Sequence, residues 1–124
     1  MKGKILVIEY NEQNLYLVRY ILEQNNYEVF AALDGKSGIE MAVLLKPDLI
    51  LLDIQLPLMD GYTVARNLRQ NQDTANTPIV ALTSYAMPGD REKVMEAGCN
   101  GYIEKPIDTD TFMAKVEQHF RVRN

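Results

Sequence analysis

The amino-acid sequence predicts an α/β fold with a parallel sheet, and three observations carry that prediction. Short β-branched apolar runs alternate with stretches of helical period. The alternation repeats five times, as in folds built from strand–helix units. The middle run, Leu49-Ile50-Leu51-Leu52, is continuously apolar, as expected of a central strand buried on both faces. With 124 residues, 47% hydrophobic and 24% charged, the chain fits one domain over 1–124 that needs neither disulfides nor structural zinc.

The elements follow in order. Ile5-Leu6-Val7-Ile8 is too short for a helix and reads as the first strand. Leu15, Val18, Ile21 and Leu22 make one helical face, which Asn11 can cap and Asn25-Asn26 can end. Val29 to Leu33 reads as the second strand, and Gly35 opens a helix carrying Ile39, Ala42, Val43 and Leu45 that Pro47 stops. After the third strand, a long connection from Ile54 to Gly61 leads into a helix through Val64 and Leu68, with a polar segment ending near Asn76. Pro78-Ile79-Val80-Ala81-Leu82 is the fourth strand, and Pro88 to Ala97 is a charged helix ended by Gly98. Tyr102-Ile103 lies in the fifth strand, and Phe112, Val116 and Phe120 mark one side of the last helix. No repeat, low-complexity tract or linker interrupts this order.

Composition removes several classes of function. Thirteen Lys+Arg against 17 Asp+Glu gives a formal charge of -4, whereas a nucleic-acid partner rewards a basic face. The single Cys99 has no internal partner and suits a reducing cytoplasm. No apolar run approaches the ~20 residues of a membrane span. Met1-Lys2-Gly3-Lys4 enters the first strand without a signal-peptide core. The chain stops just after its last helix, so output through protein contact is expected rather than through an appended domain.

An odd number of strands with helices on both faces suits the flavodoxin-like (βα)5 three-layer sandwich of order 2-1-3-4-5. In such sheets the ligand crevice lies beyond the carboxyl ends of the strands where the order reverses. The first strand ends at Glu9, the third at Asp53, the fourth at Thr83 and the fifth near Lys105. Each alone reads blandly, since strands end at the surface. Together they would place two carboxylates, a hydroxyl and an ammonium within reach of one another, a set able to hold a small hard cation and a phosphoryl group.

Four blocks then match a known pattern in order and spacing. They are Ile5 to Glu9, Pro47 to Gly61 (with Asp53-Ile54-Gln55-Leu56-Pro57-Leu58-Met59-Asp60-Gly61), Pro78 to Ser84, and Gly101-Tyr102-Ile103-Glu104-Lys105-Pro106. Over essentially its whole length the chain resembles the receiver domains of two-component response regulators, with the character of single-domain regulators of the DivK-like and chemotaxis types. The order 2-1-3-4-5 is itself known for chemotaxis receivers, so it stands as an expectation by analogy. The resemblance implies that Asp53 is the phosphoacceptor, served by a histidine kinase or phosphotransfer protein. It also implies that Lys105 pairs with the acceptor and then with phosphoryl oxygens, that Thr83 moves onto the phosphoryl group, and that Tyr102 swings inward after it. Ser84 would keep the approach open, and Gln55 would offer its backbone carbonyl to Mg2+, its side chain and Tyr85 flanking the site. Lys105-Pro106 resembles the family's cis peptide.

One position departs from the pattern. Receivers usually carry two adjacent acids after the first strand, and here the pair is Glu9-Tyr10. A phenol with a reference pKa near ~10 is a poor ligand for Mg2+, which prefers carboxylate and other hard oxygens. Glu9, Asp53 and the Gln55 carbonyl remain, so weakened Mg2+ binding is expected, with the Tyr10 ring competing for the cation's space. Three functions stay open: a phosphorylatable receiver acting through a downstream protein target, a receiver-like interaction module with impaired Mg2+ binding and phosphorylation, and a small α/β enzyme that only shares the fold. The third ranks last, since it needs turnover of a second substrate and nothing in the chain motivates one. The output face is expected at the fourth helix, fifth strand and fifth helix.

Other signals carry less. Gly35-Lys36-Ser37 resembles the tail of a phosphate-binding loop, but its first glycine would fall at Phe30. His119 and the run Asp90-Arg91-Glu92-Lys93 read as solvated helix faces, Cys99 as a small core residue, and Tyr16, Tyr20 and Tyr27 as packing and half-exposed surface.

Overall fold

Five strands and five helices alternate in the computed structural model, which describes residues 2–84 and 88–123. The strands are β1 (Lys4–Ile8), β2 (Glu28–Ala32), β3 (Leu49–Asp53), β4 (Ile79–Thr83) and β5 (Gly101–Glu104). They form one parallel sheet of order β2-β1-β3-β4-β5, with Ile8 opposite Leu52, Asp53 opposite Leu82 and Thr83 opposite Glu104. The helices are α1 (Glu12–Gln24), α2 (Gly35–Leu45), α3 (Gly61–Gln70), α4 (Pro88–Glu96) and α5 (Phe112–Arg123).

Successive side chains on a strand point to opposite faces, so continuous apolar strands supply two cores. Leu6, Ile8, Ile50, Leu52, Ile79 and Ala81 pack with Ala42 of α2, Val64 and Leu68 of α3 and Val94 of α4. Their alternates Ile5, Val7, Leu49, Leu51, Val80 and Leu82 pack with Val18 and Leu22 of α1 and Phe112 and Val116 of α5. The result is the expected three-layer sandwich. Among the described residues no helix is long and apolar enough to cross a membrane.

Three helix starts are fixed by side-chain caps. Asn11 accepts from the Asn14 amide at 2.9 Å, as the sequence suggested, and Asp34 and Asp60 do the same for Ser37 and Thr63 at 2.8 and 2.9 Å. Gly61 opens α3 where the chain folds back on the end of β3. A Cβ there would lie 2.6 Å from the Asp53 carbonyl oxygen, so only glycine permits the close return.

Several expectations need correction. The second strand runs from Glu28 to Ala32, one residue earlier than expected, a difference within ordinary fraying. The third helix ends at Gln70 instead of continuing toward Asn76. There Thr74 turns its hydroxyl inward and donates to the Leu68 carbonyl at 2.6 Å, winding the polar segment into turns. Tyr16, Tyr20 and Tyr27 divide as the sequence suggested: the first two stack on the exposed side of α1, while Tyr27 is buried against Phe120. His119 is only partly exposed rather than fully solvated. Its ring packs over Gly101 in space that any Cβ would fill, and burial pushes its pKa below the usual imidazole value.

Candidate functional site

Parallel register brings the carboxyl ends of β1, β3, β4 and β5 to one edge, and the sequence-predicted polar residues meet there. Glu9 extends β1 by donating its amide to Ala32 at 3.0 Å, and its side chain is fully buried. Asp53 ends β3 and is 3% exposed. The Lys105 ammonium bridges the two carboxylates, 2.9 Å from Glu9 Oε1 and 3.1 Å from Asp53 Oδ1. The Lys105-Pro106 peptide is cis, as expected, and the Lys105 amide donates to the Thr83 carbonyl at 2.8 Å. That backbone bond ties the end of β5 to the end of β4, at the edge where the ammonium meets the two carboxylates.

Backbone donors fix the carboxylates further. The Gln55 amide donates to Asp53 Oδ1 at 2.9 Å, and the Asn11 amide to Glu9 Oε2 at 3.2 Å. Glu9 Oε1 accepts no aligned hydrogen bond among the described residues and meets the ammonium as an ion pair. Burial pushes the Glu9 carboxyl up to about 7, neighbouring Asp53 adds to the rise and Lys105 opposes it. One cation therefore serves two closely placed acids. The pocket is short of positive charge.

The other predicted residues lie around this pair. Thr83 is buried at the end of β4. Ser84 is exposed, and its hydroxyl donates to the Gln55 side-chain oxygen at 3.4 Å. Tyr85 lies outside the described residues. Tyr102 is half-buried in β5 against the core beneath α2, α3 and α4. Its hydroxyl accepts a hydrogen bond from Arg91 Nη2 of α4, and the guanidinium carbon lies 5.1 Å from the ring centroid. Sequence reasoning missed Arg91, which sat in a charged run with no local sign of its partner.

Tyr10 does not enter the space between Glu9 and Asp53, which corrects the expectation that its ring competes there. It is 60% exposed and lines a shallow cleft with Asn11, Glu12, Gln13 and Leu33. The departure is thus a missing acid rather than a blocking ring. Among the described residues no group of three His, Cys, Asp or Glu side chains converges in metal-binding fashion. Glu9 and Asp53 alone still suit Mg2+, which is commonly held by one or two carboxylates with water completing its shell. The buried, unaligned Glu9 Oε1 is an oxygen of the right kind.

Comparison with known proteins identifies the family and the fold. The family model of the response regulator receiver domain matches residues 5–117. The chain is 34% identical over 119 residues to the polar-differentiation response regulator DivK of Brucella anthropi, covering 96% of this chain and 97% of that protein. DivK of Brucella ovis matches at the same identity and coverage. Among solved structures, the receiver domain of the sensor histidine kinase PA1611 from Pseudomonas aeruginosa PAO1 superposes with a TM-score of 0.90 at 31% identity. The match covers 98% of this chain and 99% of that one, which has a magnesium ion coordinated in its active-site cleft. The chemotaxis protein CheY4 of Vibrio cholerae shares the fold, with a TM-score of 0.91 at 24% identity over 96% of this chain and 99% of that one.

Proposed function

Because the chain belongs to the response regulator receiver domain family and serves two-component signalling, we propose that Asp53 is the residue that receives the phosphoryl group. The observation that carries this is the largely covered ammonium of Lys105 held between Asp53 and Glu9. An Asp53 carboxylate oxygen attacks the phosphorus of a phosphohistidine on a kinase or phosphotransfer protein. The phosphorus–nitrogen bond breaks, the imidazole leaves, and an acyl phosphate remains on Asp53. Hydrogen bonding from the Gln55 amide orients the nucleophile, and Lys105 offers its charge to the phosphoryl oxygens. Glu9, Asp53 and the Gln55 carbonyl would hold Mg2+, which when bound neutralises charge on the transferring group.

Thr83, at the end of β4 beside Asp53's strand, would follow the phosphoryl group with its hydroxyl, and the Tyr102 ring of β5 would follow Thr83. Two discrete packings biased by phosphorylation are what such a switch needs. The readout is contact with a downstream protein on the face of α4, β5 and α5, in a cytoplasmic pathway without nucleic acid or membrane. The chain is a signalling module and turns over no second substrate.

Intact-mass measurement after treatment with acetyl phosphate and Mg2+ tests the acceptor. One phosphoryl group is expected on the native protein and none on Asp53→Asn. A modified peptide containing Asp48 or Asp60 in place of Asp53 would overturn the assignment.

The absence of a second acid beside Glu9 favours another reading, in which Mg2+ and phosphate are held too weakly to drive the switch and the domain acts as an interaction module. Tyr10→Asp separates the two. Two carboxylates ~4 Å apart repel by about 4 kcal/mol at an effective dielectric of 20 before screening, so the variant should melt lower without metal. It should also bind Mg2+ more tightly and phosphorylate faster. Equal Mg2+ affinities for the two proteins at fixed ionic strength would remove the case for impairment.

A further inference from the structure

The helix α4 is weakly anchored by apolar burial. Asp90, Arg91, Glu92 and Lys93 occupy its middle, and Val94 is its buried apolar side chain among those described, with Ala97 just beyond its end. Against this background Arg91 makes a two-point contact with β5. Its Nη2 donates to the Tyr102 hydroxyl, and its guanidinium carbon stands 5.1 Å from the centre of the same ring. The first contact fixes the ring's tip and the second its face, so together they select one side-chain rotamer. Among the described residues Arg91 forms no salt bridge to a carboxylate, although acids flank it on both sides. The guanidinium is committed to the aromatic partner.

On the adjoining strand β4 the residue paired with Tyr102 is small. Ala81 pairs with Tyr102 across the β4–β5 ladder, and Thr83 ends that strand two residues on. Inward rotation of the ring must part with both Arg91 contacts. Resting on the reading of Tyr102 and Thr83 as switch residues, we propose that Arg91 is a positioning residue. It restrains the Tyr102 ring against α4 in the unmodified protein and gives it up on phosphorylation. Loss of the contact then couples the site to α4 as well as to the ring, because the same event that turns Tyr102 frees the side chain that tied α4 to β5. The acceptor and α4 compete for one aromatic side chain.

The test is the χ1 rotamer of Tyr102, read from three-bond coupling constants in solution and assigned with Tyr102→Phe. The native protein, Arg91→Met and Arg91→Lys are compared without any phosphodonor. Arg91→Met keeps the apolar stem and removes the charge and donors, and a thermal melt confirms that each variant is folded. A single dominant rotamer is expected in the native protein. In Arg91→Met the rotamer ratio should shift about fivefold toward the second state, with Arg91→Lys between, since a lysine keeps the charge but not the planar fork. An unchanged rotamer in Arg91→Met would overturn the restraint.

A second arm separates the restraint from the reading on which it rests. Native protein treated with acetyl phosphate and Mg2+, with phosphorylation confirmed by mass, should show Tyr102 moving to the rotamer that Arg91→Met populates. Movement on phosphorylation alone would overturn the restraint and leave Tyr102 as a switch residue. Movement in Arg91→Met alone would overturn the release, and with it the role of Tyr102 in the switch.

Discussion

Glu9 shows at the scale of one residue how burial alters the chemistry of a carboxyl. Its pKa rises from 4.5 to about 7 because the side chain is taken out of water, next to Asp53 and with Lys105 shared between them. A raised carboxyl pKa means that the folded chain takes up this proton more readily than the unfolded chain. The stabilisation is complete below about pH 4.5 and is lost as pH rises through about 7. Metal-free protein should therefore lose about 1–2 kcal/mol between about pH 5 and about pH 8, measured by urea unfolding, and Glu9→Gln should flatten that slope. A slope of opposite sign would show that Lys105 outweighs burial. That Glu9 and Asp53 are site candidates was legible, because each polar residue ends an apolar run. That burial raises the pKa of one of them was not, since burial and a shared ammonium arise only when β1, β3 and β5 lie side by side.

At the scale of elements, the connection from α3 to β4 is organised by a residue that no local pattern singles out. Arg69 donates to the carbonyls of Gly98, Thr74, Ala75 and Thr77 at 2.7 to 3.2 Å, and to the Asn100 side chain at 2.8 Å. Asn100 in turn accepts from the Ile79 amide at 2.9 Å, so one guanidinium ties the end of α3 to the starts of β4 and β5. Arg69→Met should cost about 2–4 kcal/mol, because part-buried carbonyls lose their donors while the apolar stem is kept. Arg69→Lys should recover less than half of that loss, as an ammonium cannot reproduce the planar fork. Urea denaturation of the three proteins checks both statements, and a loss below about 0.5 kcal/mol for Arg69→Met would show that water replaces the arginine freely. The early end of α3 has the same origin. Helical periodicity fades after Leu68, but the segment through Asn76 is polar enough to pass for a solvated helix until the carbonyls gathered by Arg69 and the inward hydroxyl of Thr74 are seen.

For the whole molecule, Cys99 is a reporter of cooperative opening. It is buried just before β5 and packed in the core beneath α2, α3 and α4, and burial pushes its thiol up to about 12. Alkylation by iodoacetamide at neutral pH should be at least about 100-fold slower in the folded protein than in urea, and its rate should follow global unfolding. Fast labelling of folded protein would mean that the α4 side of the sheet opens by itself. On the same scale, strand–helix alternation and the continuous strand at Leu49 to Leu52 determined the α/β class, the element order and which residues stand at strand ends. Those are local properties, set by the spacing of apolar side chains along one segment. The tertiary structure decided the rest: the ammonium of Lys105 shared by Glu9 and Asp53, the outward turn of Tyr10, the hold of Arg91 on Tyr102, and the ring of His119 over Gly101. Each joins residues of different elements or depends on which face of an element is covered, and distances across a sheet and exposure to water exist only once the layers have packed.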